Sequence, residues 1–185
     1  MLKFLFRFLE NPRTTGALLP SSSSLARRLV EPLRRVEKGT LRPLRVLELG
    51  AGTGAVTVAL EGLTHSFPDL KITSIELQKE FYLEIRKKFK NIEILNMNAI
   101  DFLEKTDERF DFIVCGIPLS MMSKEDRKKL LSLIHSRMNP YGIFSFFQYS
   151  PFLIRGICNT FDYSEISFEV FNFPPAFVVY CTRQS

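Results

Sequence analysis

Short apolar runs alternate with longer amphipathic segments along most of this 185-residue chain. Apolar runs bounded by polar residues predict buried strands, because a strand buried on both faces lacks polar alternation. Segments with apolar residues three and four positions apart predict helices between those strands. The predicted strands cover residues 46–49, 71–75, 92–95, 110–115, 143–147, 164–171 and 176–182, and the predicted helices cover residues 55–65, 78–89 and 123–138, with another helix from about residue 25.

This alternation predicts an α/β fold built on a parallel sheet. Repeated strand–helix units imply right-handed crossovers, which place helices on both faces of the sheet. The last two predicted strands are joined by residues 172–175 and are expected to form an antiparallel hairpin. We therefore predict a Rossmann-like, seven-stranded, mostly parallel sheet with a C-terminal antiparallel hairpin. Ligands of such folds bind beyond the carboxyl ends of the strands.

A glycine-rich turn follows the first predicted strand. In VLELGAGTGAVT, residues 46–57, Gly50, Gly52 and Gly54 stand between the strand and the helix. Glycines at this place let a ligand lie against bare backbone and permit a positive φ, and the helix start offers free N–H groups. The third glycine comes one residue earlier than in the G-x-G-x-x-G of dinucleotide sites. Glu48, just before the turn, suits a cationic ligand better than a pyrophosphate.

A second acidic residue stands where a nucleotide-binding fold needs one. Glu76 ends the second predicted strand, 22 residues after Gly54, close to the ~20 at which an acid meets ribose hydroxyls. The pattern E-L-G-x-G-x-G resembles motif I of class I methyltransferases, whose cofactor is S-adenosylmethionine. Asn98 stands where these enzymes usually carry an acid for the adenine, and its amide oxygen can still accept a hydrogen bond. The resemblance implies a cofactor site of Glu48, Gly50, Gly52, Thr53, Gly54, Glu76, Leu77, Asn98, Ala99 and Gly116.

Composition and charge narrow the possible partners. With 45% hydrophobic residues, three widely spaced cysteines and two histidines, the chain is expected to be a cytoplasmic, globular protein with reduced core cysteines and no metal. No signal peptide is evident, and no apolar run reaches the ~20 residues that span a bilayer. Residues 1–45 hold ten Lys and Arg against three Glu. This asymmetry predicts an anionic partner, either nucleic acid or a membrane surface.

The first eleven residues, MLKFLFRFLEN, predict a short helix with a broad apolar face and a thin basic edge that includes Lys3 and Arg7. Such a helix suits a membrane interface, where it would bind anionic lipid, although it could also pack against its own protein. We therefore expect peripheral attachment to the inner face of the cytoplasmic membrane. Residues 1–40 are interpreted as a membrane and lid segment, and residues 41–185 as the cofactor-binding methyltransferase core.

Three further motifs point to one family. N-P-R-T-T-G-A-L-L-P-S-S-S-x-L-A, residues 11–26, resembles the N-terminal signature of bacterial phospholipid N-methyltransferases, the soluble type that converts phosphatidylethanolamine toward phosphatidylcholine. G-I-P-L, residues 116–119, is similar to the G-L-P-L loop of that family, and N-F-P-P-A, residues 172–176, to its N-x-P-P-A. The resemblance implies a phospholipid substrate and a lid over the headgroup, with Arg13 meeting the lipid phosphate. The lid candidates are Asn11, Arg13, Thr14, Thr15, Ser22 and Ser23.

The catalytic candidates follow the fourth and fifth predicted strands. Methyl transfer to an amine needs a neutral lone pair in line with the methyl group, so positioning is the main requirement. A proline after a strand leaves carbonyls without competing donors, and the carbonyls of Ile117 and Pro118 could therefore hold the hydrogens of the amine. Tyr149 could orient the amine or relay its proton.

Two other functions stay open from the sequence. A nucleic-acid adenine N6-methyltransferase, related in design to the ribosomal RNA dimethylases, fits the basic N-terminal segment. Residues 116–119, however, lack the leading Asn and the final aromatic residue of the Asn-Pro-Pro-Tyr type motif that stacks a flipped base. A non-catalytic module that binds S-adenosylmethionine and docks on membranes also fits. We expect a phospholipid partner and no nucleic acid.

Overall fold

A computed structural model describes residues 22–34 and 43–184. The predicted N-terminal helix and the lid candidates Asn11, Arg13, Thr14 and Thr15 lie outside the described residues.

Seven strands and seven α-helices occur within these ranges, together with short 3-10 turns at Leu119–Met121 and Pro151–Leu153. None of the described helices is long and apolar enough to span a bilayer. In chain order the elements are α1 (Ser23–Leu29), α2 (Glu31–Arg34), β1 (Arg45–Leu49), α3 (Ala55–Glu61), β2 (Lys71–Glu76), α4 (Lys79–Lys88), β3 (Glu93–Asn96), α5 (Ala99–Lys105), β4 (Phe110–Cys115), α6 (Lys124–Arg137), β5 (Met138–Gln148), α7 (Ile154–Cys158), β6 (Tyr163–Glu169) and β7 (Ala176–Thr182).

The strands form one sheet in the order β3-β2-β1-β4-β5-β7-β6. β1 to β5 pair in parallel, and β7 is antiparallel to both of its neighbours. The predicted seven-stranded sheet with a C-terminal antiparallel hairpin is thus confirmed. β1 to β6 all end at the same edge of the sheet, where β7 begins. We call this edge the carboxyl edge.

Helices cover both faces of the sheet, as predicted. One face carries α1, α3 and α4, whose side chains such as Leu29, Leu60 and Ile85 are fully buried. The opposite face carries α5, α6 and α7 and buries side chains such as Leu103 and Ile134. Two hydrophobic cores therefore fix the sheet from both sides and hold its carboxyl edge in place.

Helix α1 belongs to this packed body. The Tyr180 hydroxyl donates to the carbonyl of Arg28 at 2.6 Å, and the Ser145 hydroxyl donates to the carbonyl of Leu29 at 2.8 Å. These bonds satisfy carbonyls at the C-terminal end of the helix, which have no partner within it. The described part of the predicted segment 1–40 therefore packs on the sheet, while the division at residue 40 stays a prediction.

Two local features differ from the predicted elements. β5 begins at Met138, five residues before the predicted start, because the pairing with β4 jumps from Phe110↔Met138 to Phe112↔Ile143. The expected turn at residues 139–142 is consequently an irregularity within the strand, with Tyr141 at a φ of 61°. Helices α5 and α7 follow β3 and β5, where no helix was predicted.

Candidate active site

The loop between β1 and α3 has the conformation that its glycines suggest. Gly50, Gly52 and Gly54 have φ values of 78°, 54° and 87°, in the left-handed region that side chains disfavour. The Gly50 amide donates to the carbonyl of Ile75 at 2.8 Å, which ties the loop to the end of β2. Gly50 and Gly52 are partly exposed in this loop, so a ligand can lie against their backbone.

The loop after β4 touches the glycine loop through backbone atoms. The Gly116 amide donates to the carbonyl of Leu49 at 2.8 Å. A Cβ on Gly116 would lie 2.5 Å from the Gly50 carbonyl oxygen, and a Cβ on Gly50 would lie 2.7 Å from Cγ1 of Ile117. Neither position has room for a side chain. Gly50 and Gly116 therefore bring the predicted cofactor loop and the predicted acceptor loop into contact.

Glu76 connects the glycine loop to the loop after β2. Its carboxylate is buried and accepts hydrogen bonds from the amides of Gly52 and Gln78, each at 2.7 Å. Asn96, which ends β3, donates its amide to the carbonyls of Glu76 and Leu77 at 2.8 and 2.9 Å. Asn96 was not predicted as a site residue, although the place of Asn96 at the end of the neighbouring strand was an available signal.

A cavity of about 460 Å³ opens between these loops at the carboxyl edge. Its volume is typical of small-molecule sites. The predicted site residues that line it are Gly50, Gly52, Glu76, Leu77, Asn98, Ala99, Gly116, Ile117 and Pro118. The lining residues that were not predicted are Ile75, Gln78, Phe81, Met97, Ile100, Met122, Asp126 and Leu130. The structure thus brings the strand-end candidates together and adds a mainly apolar wall.

Asn98 has a local role besides any contact with a ligand. Its side-chain oxygen accepts from the amide of Ile100 at 2.8 Å and so caps helix α5. An amide oxygen has two lone pairs, and one of them remains for another donor. The assignment of Asn98 to the adenine stays a prediction.

Glu48 lies beneath the glycine loop rather than on the cavity wall. One carboxylate oxygen accepts from the hydroxyls of Thr57 and Ser74 at 2.8 and 2.7 Å. The other oxygen is buried and has no hydrogen-bond partner among the described residues. Burial raises the pKa of Glu48 to about 7, although the two hydroxyls oppose the rise. Thr53 and Gly54 also lie outside the cavity lining, so direct cofactor contacts of these three residues stay predictions.

Tyr149 and Ser22 meet at Asn172, away from the cavity lining. The Ser22 amide donates to Oδ1 of Asn172 at 3.1 Å, and the Ser22 hydroxyl caps α1 by accepting from the amide of Leu25. Burial raises the pKa of the Tyr149 phenol, while a hydrogen bond with the Asn172 side chain opposes that rise. The phenol is therefore protonated at neutral pH. Ser23 is the exposed first residue of α1, and the lid role of both serines stays a prediction.

The residues of this site fit S-adenosylmethionine. Gly50 and Gly52 line the cavity, and a Cβ on Gly52 would meet nothing within 4 Å, so the space over this glycine is open to a ligand. The Glu76 carboxylate lies at the end of β2, where ribose hydroxyls are bound in related folds. Together with the strand order, these features define the chain as a Rossmann-like methyltransferase.

Comparison with protein families agrees with this class. Residues 46–142, just over half of the chain, match the family described as "Methyltransferase domain". The chain belongs to this family, within the class I methyltransferases that use S-adenosylmethionine as cofactor.

Relatives and solved structures give the finer context. The chain is 28% identical to an ornithine lipid N-methyltransferase of Singulisphaera acidiphila, over 96% of this chain and 93% of that protein. It is 27% identical to a tRNA1(Val) (adenine(37)-N6)-methyltransferase of Flavobacterium psychrophilum, over 41% of this chain and 34% of that protein. The crystal structure of 1,6-didemethyltoxoflavin-N1-methyltransferase from Burkholderia thailandensis has a similar fold, with a TM-score of 0.68 and 13% identity over 99% of this chain and 86% of that chain.

Gly116→Ala tests the backbone contact between the two loops. The added Cβ would meet the Gly50 carbonyl, so one loop must shift, and we expect the affinity for S-adenosylhomocysteine to fall by about tenfold or more, roughly 1.4 kcal/mol. Gly156→Ala is the matched control, because a Cβ there meets nothing within 4 Å. Titration calorimetry measures both. Unchanged affinity in the folded Gly116→Ala variant would contradict the account.

Glu48→Gln tests the buried carboxyl group. The folded pKa of about 7 lies above the ordinary glutamate pKa of 4.5, so between these values the folded state binds more protons than the unfolded state. Stability is therefore lost as the pH rises through this window, on the order of 3 kcal/mol in all. Glutamine does not titrate, so the variant lacks this loss of stability. The free energy of unfolding of the variant, relative to that of the wild type, should therefore increase from pH 5 to pH 8.

Urea unfolding at several pH values measures this difference. Glu84→Gln, which replaces an exposed carboxylate on α4, should follow the wild type across the same range. A constant difference between Glu48→Gln and the wild type would show that burial does not perturb Glu48.

Proposed function

We propose that the protein transfers methyl groups from S-adenosylmethionine to the amine of a membrane phospholipid, with phosphatidylethanolamine as the substrate. The observation that carries the proposal is the end-to-end similarity to an ornithine lipid N-methyltransferase. The motifs at residues 11–26, 116–119 and 172–176, which resemble the phospholipid N-methyltransferases, favour phosphatidylethanolamine within the wider group of amine-bearing lipids.

The cofactor-binding part of the proposal assigns roles to the strand ends. S-adenosylmethionine supplies an electrophilic methyl group when it is bound. The backbone of Gly50 and Gly52 would hold its amino-acid portion, and Glu76 would accept hydrogen bonds from its ribose hydroxyls. The exposed glycine backbone and the buried carboxylate support these roles.

The loop after β4 offers hydrogen-bond acceptors for the lipid amine. The Pro118 carbonyl already accepts from the amide of Met121 at 2.9 Å. Among the described residues, the Ile117 carbonyl accepts a hydrogen bond only from Sγ of Cys115, at 3.8 Å. The carbonyl of Ile117 is therefore the better placed to hold an amine hydrogen and to orient the lone pair. Orientation of the reacting groups is the main contribution that such a site can make.

The amine must also lose a proton before it reacts. The cavity wall is mainly apolar, and desolvation lowers the pKa of an ammonium group. Asp126 lines the same cavity and could accept a hydrogen bond from the ammonium before deprotonation. Tyr149 is protonated at neutral pH, so it suits orientation of the headgroup better than proton removal.

Peripheral attachment to the membrane on its cytoplasmic side is part of the proposal. A lipid amine stays close to its bilayer, so the enzyme must work at the surface. The excess of basic residues in residues 1–45 supports binding to anionic lipid. Each basic residue near such a surface contributes about 1 kcal/mol to membrane binding.

The test is incubation with methyl-labelled S-adenosylmethionine and three acceptors in parallel. These are anionic vesicles with phosphatidylethanolamine, the same vesicles with ornithine lipid, and unmodified RNA. We expect label in phosphatidylethanolamine, with chromatography showing how many methyl groups are added. The Gly116→Ala variant should give much less product at limiting cofactor.

The other outcomes separate the alternatives. Label only in ornithine lipid would retain lipid N-methylation and overturn the phospholipid substrate. Label only in RNA would support the nucleic-acid enzyme, to which the partial tRNA methyltransferase similarity points. Cofactor binding without any product would support the non-catalytic module.

A further inference from the structure

We propose that three phenylalanines at the carboxyl edge of the sheet insert into the lipid bilayer and hold this edge against it. These are Phe152, Phe171 and Phe173, which we call the phenylalanine rim. This inference rests on the proposed lipid substrate. It concerns a membrane contact made by the folded methyltransferase core, in addition to any contact made by the N-terminal segment.

The rim residues are unusually exposed for their type. Phe152 is 90% exposed, and Phe171 and Phe173 are each 82% exposed, more than any other large hydrophobic residue described. The next is Tyr141, at 77%, which also has a hydroxyl group for water. Exposed apolar side chains that cluster on a surface mark sites of interaction with protein or membrane.

All three residues lie at the carboxyl edge. Phe152 follows the end of β5 by four residues, and Phe171 and Phe173 lie in the connection between β6 and β7. Since β5 and β6 end at this edge and β7 begins there, the rim shares the edge with the cavity. Tyr141 and Tyr163, near the starts of β5 and β6, lie at the opposite edge.

The connection between β6 and β7 is held by buried polar side chains. Glu169 is 7% exposed and accepts from the amide of Phe171 at 2.8 Å. Asn172 is 4% exposed and donates to the carbonyl of Pro174 at 2.7 Å. The backbone is thereby fixed while the phenyl rings on either side of Asn172 stand in solvent. A fixed loop that displays apolar rings is suited to insertion without further ordering.

The path of the chain favours a bilayer as the occupant of this surface. Residues 1–21 join the described structure at Ser22, whose amide donates to Asn172 between the two loop phenylalanines. The sequence of those first residues predicts an apolar helix with a basic edge. The described chain therefore begins, at Ser22, beside the loop that carries two of the three rim residues.

A nearby basic residue and the tethering of the substrate to its acyl chains also favour a bilayer as the partner of the rim. Arg155 is exposed on α7, three residues after Phe152, and aromatic rings next to basic groups suit the boundary between headgroups and acyl chains. A lipid amine is tethered to its acyl chains, so the mouth of the cavity must face the bilayer. The rim would then enter the bilayer when the cavity receives a headgroup.

The sequence allows a direct test, because the chain contains no tryptophan. Phe152→Trp and Phe171→Trp each place one fluorophore in the rim of the full-length protein, and Tyr163→Trp places one at the opposite edge. With vesicles of phosphatidylglycerol and phosphatidylcholine, we expect both rim tryptophans to shift to shorter emission wavelengths. Brominated acyl chains should quench them. The Tyr163→Trp emission should change little.

A second measurement addresses the contribution to binding. Phe152→Ser with Phe171→Ser should weaken vesicle partitioning by about tenfold or more, since two apolar side chains no longer enter the bilayer. The matched pair, Tyr141→Ser with Tyr163→Ser, should partition like the wild type. Methylation of a short-chain lipid dispersed in detergent should be unchanged in both pairs.

Four results would overturn the rim, and a fifth would overturn the proposed function instead. If the protein sediments with vesicles but the rim tryptophans keep the emission wavelength that they have in water, the protein binds the membrane through another surface. Short-wavelength emission before vesicles are added would show that residues 1–21 cover the rim, and a shift that depends on protein concentration would show that a second copy covers it. Lipid methylation without a rim shift would overturn the rim alone, whereas a rim shift without lipid methylation would overturn the proposed function alone.

Discussion

The site depends on one close backbone contact, between the loop after β1 and the loop after β4. Gly116 donates to the carbonyl of Leu49, and a Cβ on Gly116 would come within 2.5 Å of the Gly50 oxygen. Because β1 and β4 are neighbours in the sheet, their ends bring the cofactor loop and the acceptor loop together. Methyl transfer in line requires donor and acceptor to be held close. The two glycines make that proximity a property of the backbone.

Glu76 extends this arrangement to the third side of the cavity. Its two oxygens accept from the amides of Gly52 and Gln78. The carboxylate thus fixes the glycine loop and the loop after β2 relative to each other, and its remaining lone pairs are available to ribose hydroxyls. Glu48, one strand away, has a different role, because it lies under the loop and its burial disfavours the charged form.

Much of the fold could be predicted because its signals are local. The bounds of β4 and β7 follow from apolar runs that end in polar or turn residues, and the glycine loop is read from its spacing. The start of β5 could not be predicted, since the irregularity at Tyr141 arises from pairing with β4. The cavity wall formed by Asp126 and Leu130 depends on how α6 docks on the sheet. The exposed side of the loop around Asn172 likewise depends on the burial of Asn172 and on its tertiary hydrogen bond with the amide of Ser22.

The most direct measurement of the central claim is a crystal structure of the protein grown with S-adenosylhomocysteine. The account predicts ribose hydroxyls within hydrogen-bond distance of the Glu76 carboxylate, the amino-acid portion along Gly50 and Gly52, and the adenine beside residues 98–100. A nucleoside bound elsewhere, with Glu76 contacting only the amides of Gly52 and Gln78, would contradict it.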